Sequence, residues 1–147
     1  MGRKFTEEDT KAYLRSIWDF TLTNRAELEK IAELRAIAES CTVRTDKESV
    51  QTSGSGDKLT NIVGRIVDIE REIYQRNKII KHRRAEFEEI TNEMTDKRQK
   101  SFLTVRYFDG NGFYDTALIL EMNESTAKRI HRKAITEFTR IFNEKHK

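Results

Sequence analysis

An apolar repeat between Leu59 and Met94 limits the fold more than any other feature of the chain. Its positions follow alternating three- and four-residue steps: Leu59, Ile62, Ile66, Ile69, Ile73, Arg76, Ile80, Arg83, Phe87, Ile90 and Met94. Nine of these eleven positions are apolar, which is typical of a helix that pairs with another helix in a coiled coil. Arg76 and Arg83 need a polar partner or solvent, because an unpaired buried cation is costly. The repeat predicts a helix over about 57–95.

A second helix is predicted over about 7–40. Thr6 and Asp9 have the spacing of a capping box, and helically spaced apolar residues follow at Leu14, Ile17, Trp18, Leu28, Ile31, Leu34, Ile37 and Cys41. The chain contains no proline, which fits long uninterrupted helices. Residues 42–56 break the pattern and include Thr-Ser-Gly-Ser-Gly at 52–56, so we expect a linker there, with Ser55 or Asp57 capping the next helix.

Two long helices joined by a linker of about 15 residues most simply form an antiparallel hairpin, which we assign to residues 1–96. Folding at the linker places Cys41 near Leu59, Asn24 near Arg76, and Ile17 near Arg83. We interpret Asn24, Arg76 and Arg83 as a device that fixes the register, because a shifted pairing would bury a cation among leucines. A two-helix hairpin has little core, so a second subunit or the C-terminal region is expected to complete it.

Three shorter helical elements are predicted over residues 97–147. Phe102, Leu103, Tyr107 and Phe108 mark a helix that ends at the Asp-Gly-Asn-Gly turn over 109–112. A short helix over about 113–121 follows, and Asn123 is a good N-cap for a last helix that reaches at least Phe142. The inward stripe of that last helix is Ala127, Ile130, Ala134, Phe138 and Ile141. His131 lies at the edge of this stripe, either packed against a neighbouring helix or contacting a DNA phosphate.

Basic residues are concentrated on the other face of the last helix. The final 26 residues hold seven Lys and Arg against three Glu. We predict that DNA is contacted by Ser125, Thr126, Lys128, Arg129, Arg132, Lys133 and Thr136. Arg can bind guanine edges, Lys can reach guanine or phosphate, and Ser and Thr can do either. Two helices, a tight turn and a basic helix indicate a helix-turn-helix DNA-binding domain. The alternative is a solvated charged face without a partner.

The residues also resemble known families. The segments RYFDG (106–110), FYDTALIL (113–120) and IHRKAI (130–135) resemble the fourth conserved region of sigma-70-type factors and its phage relatives. The segment NESTAKRIHRKAI (123–135) more closely resembles ArpU-type phage transcriptional regulators. The segments VQTSGSGDK (50–58) and IVDIEREI (66–73) resemble small phage and prophage proteins that join a helical hairpin to a sigma-like helix-turn-helix. Glu121 stands where those motifs have glycine or a small residue in the turn. The resemblance implies control of late phage genes through promoter DNA.

The composition bounds the remaining expectations. The net charge is only +3, so the argument for DNA rests on the local basic face. No catalytic constellation has diagnostic spacing, so we expect no enzyme, no cofactor and no metal site. Cys41 is expected to be a small buried residue. Neither a secretory signal nor an apolar run of membrane length is visible, which favours a cytoplasmic protein in a bacterial host.

The sequence therefore predicts an all-α, sequence-specific regulator that binds promoter or operator DNA as a homo-oligomer, with a dimer favoured. Direct contact with host RNA polymerase is a further expectation. Two alternatives stay open. One is a DNA-packaging protein similar to a small terminase subunit, which also joins a helix-turn-helix to oligomerising helices. The other is a protein-binding adaptor in which the hairpin contacts polymerase and the basic helix is incidental.

Overall fold

All regular structure in the described part of the chain is helical, which confirms the predicted all-α class. The computed structural model describes residues 3–47 and 53–147. Its elements are α1 (Glu7–Lys47), α2 (Ser53–Thr91), α3 (Lys97–Leu103), a π-helical segment (Thr104–Phe108), α4 (Phe113–Ile119) and α5 (Glu124–Lys145). Among these helices, none combines the length and the apolar content that a membrane span requires.

Helix α1 begins with the predicted capping box. The backbone N–H of Asp9 donates to Thr6 Oγ1 at 3.1 Å, and the N–H of Thr6 donates to Asp9 Oδ2 at 2.9 Å. The hydrogen bond from the Thr6 backbone holds the pKa of Asp9 below its usual value, with a smaller effect from Arg3. Glu7 and Glu8 add negative charge to the first turn, where the helix dipole favours it.

The linker predicted over residues 42–56 is too long. Helix α1 continues to Lys47 and α2 already begins at Ser53. Threonine, serine and glycine cost at most about 1 kcal/mol each in a helix, so their presence weakens a helix without ending it. Residues 48–52 lie outside the described residues, and so does the connection between the two helices. The predicted proximity of Cys41 to Leu59 stays a prediction. At the other end, α2 stops at Thr91, four residues before the predicted end.

The chain forms two compact units whose bounds differ from the predicted division at residue 96. One unit combines Met1–Leu22 with Ile80–Lys147, and the other is Thr23–Ile79. The boundary moves because the first part of α1 and the last part of α2 pack with the C-terminal helices. The first unit is called the terminal unit below, and the second the hairpin unit.

The core of the terminal unit joins side chains from distant parts of the chain. Leu14 and Ile17 of α1, Phe87 of α2 and Phe138 of α5 are each at most 2% exposed and belong to one apolar cluster. Phe87 meets Phe108 edge to face at 4.6 Å between ring centroids. Aromatic pairs of this geometry add about 1 kcal/mol to the stabilisation from burial alone. This cluster fixes the N-terminal part of α1 against α5.

Arg83 of the predicted seam also lies in the terminal unit. Its guanidinium hydrogen-bonds the hydroxyl of Ser16, and its carbonyl accepts from the Tyr13 hydroxyl at 3.1 Å. The guanidinium carbon lies 5.7 Å from the centroid of the Tyr13 ring and 5.5 Å from that of Phe20. Arg83 is therefore half-buried with polar and aromatic partners. This agrees with the expectation that a cation in the apolar seam needs a polar partner or solvent.

The hairpin unit contains an antiparallel pair of helices with a small core. Ile31 and Leu34 of α1 are buried with Ile62 and Ile66 of α2. In two further contacts, a later residue of α1 pairs with an earlier residue of α2, which is the order expected of an antiparallel pair. Asn24 Oδ1 accepts from Arg76 at 2.9 Å, as predicted, and Arg35 pairs with Glu70 at 3.0 Å.

Candidate nucleic-acid interface

A cap and a tight turn set the start of helix α5. The side chain of Asn123 accepts a hydrogen bond from the Thr126 backbone N–H at 2.8 Å, which confirms the predicted N-cap. The turn from α4 closes through a hydrogen bond from the Met122 N–H to the Ala117 carbonyl at 2.8 Å. Glu121, inside this turn, has a φ of 56°, a left-handed conformation that glycine adopts at lower cost.

One face of α5 is buried and the opposite face is exposed. The predicted inward stripe, Ala127, Ile130, Ala134, Phe138 and Ile141, is buried at every position. These side chains pack against α1, α2 and α3 residues of the terminal unit, including Leu14, Phe87 and Phe102. The buried stripe fixes the rotation of α5 about its axis, so the residues on its far side must face solvent.

The predicted DNA-contacting residues lie on or beside that far side. Ser125, Lys128, Arg129, Arg132, Lys133 and Thr136 are exposed, and Thr126 is half-buried next to the turn. At 100° per residue, Ser125, Lys128, Arg129, Arg132 and Thr136 fall within about a third of the helix circumference, with Thr126 and Lys133 at its edge. The five residues within that third are called the basic face below.

The cations on this side of α5 differ in their partners. Lys128 pairs with Glu124 at 2.9 Å, and that hydrogen bond raises the pKa of Lys128. The side chains of Arg129, Arg132 and Lys133 have no hydrogen bond or ion pair with any residue in the described ranges. Arg140, farther along, is held between Glu137 and Glu144. Three cations near the start of α5 are therefore available to a ligand, while Arg140 is neutralised.

Thr136 already has an acidic partner. Its hydroxyl donates to Glu7 Oε1 at 2.7 Å, so the first turn of α1 adjoins the end of the basic face. The acidic residues Glu7 and Glu8 in that turn limit how far an anionic ligand can extend along α5. The favourable part of the basic face for an anion is the segment from Ser125 to Arg132.

His131 is a packed residue. Its Nε2 lies 2.7 Å from the Tyr107 hydroxyl in the π-helical segment, and its ring packs near Phe102 and Phe113. Burial lowers the pKa of His131 to about 4, together with smaller effects from the charges of Arg106 and Lys11. Burial also raises the pKa of Tyr107. The Tyr107 hydroxyl and Nε2 share this hydrogen bond, and the tautomer of His131 determines which of the two donates.

A cleft of about 340 Å³ lies beside the turn between α4 and α5. Lys97 and Arg98 of α3, Asn123 and Thr126 line it. Arg98 is loosely paired with Asp96 at 3.9 Å, the residue that caps α3. Lys97 and Arg98 are not among the predicted DNA-contacting residues, because their distance from α5 along the chain gives no sign that they lie beside its first turn.

A protein-family model matches residues 40–139, more than half of the chain, and its description is "Protein of unknown function (DUF1492)". The chain belongs to the DUF1492 family. No curated protein and no solved structure matches this DUF1492 protein significantly. The match includes the last part of α1, all of α2 to α4 and most of α5, so the segment with the basic face lies within the matched range.

Helix α4 of the DUF1492 protein carries an exposed apolar surface that the sequence analysis missed. Tyr114, Leu118 and Ile119 are 67%, 77% and 55% exposed. Thr116 and Ala117 face the core, which leaves the other side of this short helix to solvent.

In the described ranges, no three His, Cys, Asp or Glu side chains are grouped to hold a metal ion.

Proposed function

We propose that this DUF1492 protein is a sequence-specific DNA-binding regulator of phage or prophage late genes. In this proposal α4, the turn at Glu121 and α5 act as a helix-turn-helix similar to the fourth region of sigma-70-type factors, and α5 enters the major groove. The resemblance of residues 123–135 to ArpU-type regulators supports the phage context.

The observation that carries the proposal is the group of unpaired cations on α5. Arg129, Arg132 and Lys133 are exposed and lack partners in the described part of the chain. Binding of an anion to these side chains breaks no ion pair within the protein. The electrostatic attraction therefore contributes in full to the binding free energy. The small side chains of Ser125 and Thr126 lie near the N-terminus of α5, the part of a recognition helix that meets base edges.

The roles follow from the side-chain chemistry. Arg129 and Arg132 have the planar guanidinium groups that read guanine in the major groove. Lys133, at the edge of the basic face, and Lys128, which Glu124 holds, suit phosphate contacts. Thr136 would bind phosphate only after release from Glu7. These assignments predict that the two arginines determine sequence preference while the lysines determine affinity.

The test begins with selection of preferred sites from a random double-stranded DNA library by the full chain. Binding to the selected duplex is then measured by fluorescence anisotropy across a range of salt concentrations. Arg132→Ala should weaken binding to this duplex about five- to a hundredfold and relax one position of the site.

Arg140→Ala is the matched control, because it removes the same charge from the same helix at a position where Glu137 and Glu144 already neutralise it. It should change affinity less than threefold, since exposed ion pairs contribute little. Equal affinity for the selected duplex and for scrambled duplexes would refute sequence-specific binding. Equal losses in Arg132→Ala and Arg140→Ala would refute the assignment of the basic face.

We also propose that the hairpin unit joins two copies of the chain. Its buried core is small, and Leu28, Val63, Val67 and Tyr74 are between 46% and 60% exposed. Val63, Val67 and Tyr74 share one side of α2 by helical spacing. A dimer would bind two half-sites about one helical turn of DNA apart.

Measurement of the mass in solution tests this arrangement. A dimer supports the regulator, whereas a ring of many subunits supports the DNA-packaging alternative. The exposed apolar side chains also suit a different protein partner, and host RNA polymerase is the partner to test. Capture of purified polymerase by the full chain in the presence of nuclease would favour the adaptor alternative, provided that no specific DNA site is selected.

A further inference from the structure

The cleft of about 340 Å³ beside the turn between α4 and α5 is lined from two sides by groups that suit an anion. Helix α3 contributes Lys97, Arg98 and Ser101, and the first turn of α5 contributes Thr126. Thr126 also lies at the edge of the basic face by its position on the helix. The cleft therefore borders the surface that we propose to contact DNA, but its cations come from a different helix.

The two cations of the cleft are available to a ligand. Lys97 is exposed and has no hydrogen bond or ion pair with any residue in the described part of the chain. The 3.9 Å between Arg98 and Asp96 is longer than a hydrogen bond, and the same Asp96 oxygen accepts from the Arg98 backbone N–H at 2.9 Å to cap α3. Lys100 of α3 differs, because it donates to Asn92 at 2.9 Å and does not line the cleft.

Two hydroxyl groups add to the donors of the cleft. The hydroxyls of Ser101 and Thr126 make no hydrogen bond within 3–47 and 53–147, whereas the Thr116 hydroxyl of α4 donates to the Gly112 carbonyl at 2.8 Å. An ammonium, a guanidinium and two hydroxyls can together donate to the oxygens of one phosphate group. The exposed carboxylate of Glu121 also lines the cleft and would weaken the attraction for such a group.

The geometry of a DNA duplex gives a reason for an anion site in this place. A helix with its side chains is about 10–12 Å across and nearly fills a major groove about 12 Å wide. The phosphates along the edges of that groove therefore meet the elements beside the recognition helix. Helix α3 is such an element, because Phe102 is buried with Ala127 and Ile130 of α5. With α5 in the groove, Lys97 and Arg98 lie toward one of its edges.

We propose that this cleft binds one phosphate of the DNA backbone at the edge of the groove that α5 enters, with Lys97 and Arg98 as its cationic donors. The hydroxyls of Ser101 and Thr126 add hydrogen bonds to the same phosphate. The inference rests on the proposed function for the placement of the duplex, but the contact itself is independent of DNA sequence. Phosphate contacts fix the position of a protein on the duplex. Helix α3 would thus position α5, which reads the bases.

The test measures the coupling between the cleft and individual phosphates of the duplex. In the duplex that the full chain selects, each phosphate in turn is replaced by an uncharged methylphosphonate, and affinity is measured by fluorescence anisotropy. One replacement should weaken binding by the natural chain about tenfold, yet cost the double variant Lys97→Gln, Arg98→Gln less than about twofold. The other replacements should cost the two proteins the same, because the cleft does not contact those phosphates.

The double variant should itself weaken binding to the selected and to scrambled duplexes by the same factor, about tenfold or more, and reduce the salt dependence by about one unit. Both positions are exposed, so the melting temperature should not change. Lys100→Gln is the matched control, because it removes a cation of α3 outside the cleft, and it should change affinity less than about threefold. Glu121→Gln should strengthen binding about threefold, because it removes a carboxylate from the cleft.

Specific binding of the selected duplex with unchanged affinity in the double variant would overturn this inference and leave the proposed function intact. Equal losses in Lys97→Gln and Lys100→Gln would also overturn it, because they would show an effect of net charge alone. If the chain selects no site but the double variant still weakens duplex binding, sequence-specific regulation fails and the phosphate contact stands. No binding to any duplex would overturn both.

Discussion

The guanidinium of Arg76 makes two parallel hydrogen bonds to the carboxylate of Glu27, at 2.7 and 2.8 Å. The same guanidinium donates to Asn24 at 2.9 Å. The side chains of Arg76 and Glu27 are only 18% and 22% exposed, and the hydrogen bond to Glu27 raises the pKa of Arg76. The cation in the seam of α2 is therefore matched by a specific carboxylate of α1.

Removal of Glu27 alone should destabilise the hairpin unit more than removal of both partners. We expect Glu27→Leu to lower the free energy of unfolding by about 2 kcal/mol, because it leaves a half-buried cation with the amide of Asn24 and a longer contact to Glu72 at 3.6 Å. The double variant Glu27→Leu, Arg76→Leu should recover most of that loss. Urea denaturation followed by circular dichroism measures both. The exposed pair of Arg35 and Glu70 is the control, and Arg35→Leu should cost less than about 1 kcal/mol. A double variant as unstable as Glu27→Leu would contradict this account.

Glycine in place of Glu121 should stabilise the chain. The left-handed φ of 56° costs a residue with a side chain about 1 kcal/mol relative to glycine. Glu121→Gly should therefore raise the melting temperature by a few degrees. Glu121→Ala removes the same charge but keeps the backbone cost, so it should not produce this rise. Equal melting temperatures for the two variants would show that charge, not backbone conformation, determines the effect.

The hydroxyl of Thr91 should be dispensable. It is fully buried at the end of α2, and it has no hydrogen-bond partner within the described part of the chain. Valine has nearly the same shape and no group to satisfy, so Thr91→Val should stabilise the protein by about 1 kcal/mol. Thr139→Val is the contrasting variant, because the Thr139 hydroxyl lies 2.6 Å from that of buried Thr10. Differential scanning calorimetry should show opposite shifts for the two variants.

His131 should make the stability depend on pH in a defined window. Burial lowers its pKa from 6.5 to about 4. Between these two pH values the imidazole is protonated in the unfolded chain and neutral in the folded chain. The contribution of His131 is complete above pH 6.5 and is lost as the pH falls toward 4. The loss amounts to about 3 kcal/mol over the window, from 1.36 kcal/mol per pKa unit.

His131→Gln retains a hydrogen-bond partner for the Tyr107 hydroxyl but cannot be protonated. The difference in unfolding free energy between this variant and the natural chain should therefore shrink or reverse as the pH falls through the window. Urea titrations at pH 7, 5.5 and 4 measure that difference. His82→Gln, which replaces an exposed histidine by the same residue type, is the control for the substitution itself. A difference that stays constant with pH would contradict a neutral buried imidazole.

The sequence predicts most reliably those features that a local period determines. The seam of α2 placed Asn24 opposite Arg76. The amphipathic pattern of α5 identified five of its buried residues and missed Ile135 and Thr139, which are also buried. Glu27 was missed because the seam pattern tracks apolar positions and gives no reason to select one carboxylate beside them.

Long-range packing explains most of what the sequence left out. One cleft of the terminal unit is lined by Arg15, Arg106 and His131. No local pattern predicts that these residues lie close together. The π-helical segment that presents Arg106 and Tyr107 has no period that distinguishes it from an α-helix of five residues. The division into two units also depends on packing between α1 and α5, whose contacts lie at opposite ends of the sequence.

That packing has a consequence for synthesis of the chain. Thr10 and Thr139 touch although they lie 129 positions apart in the sequence, so the core around Leu14 cannot close until α5 has emerged from the ribosome. At typical translation rates, on the order of ten seconds pass between the synthesis of α1 and the synthesis of the α5 residues that cover its apolar side. The nascent chain must therefore pass through a stage in which Leu14 and Ile17 are open to chaperones and to premature association with other chains.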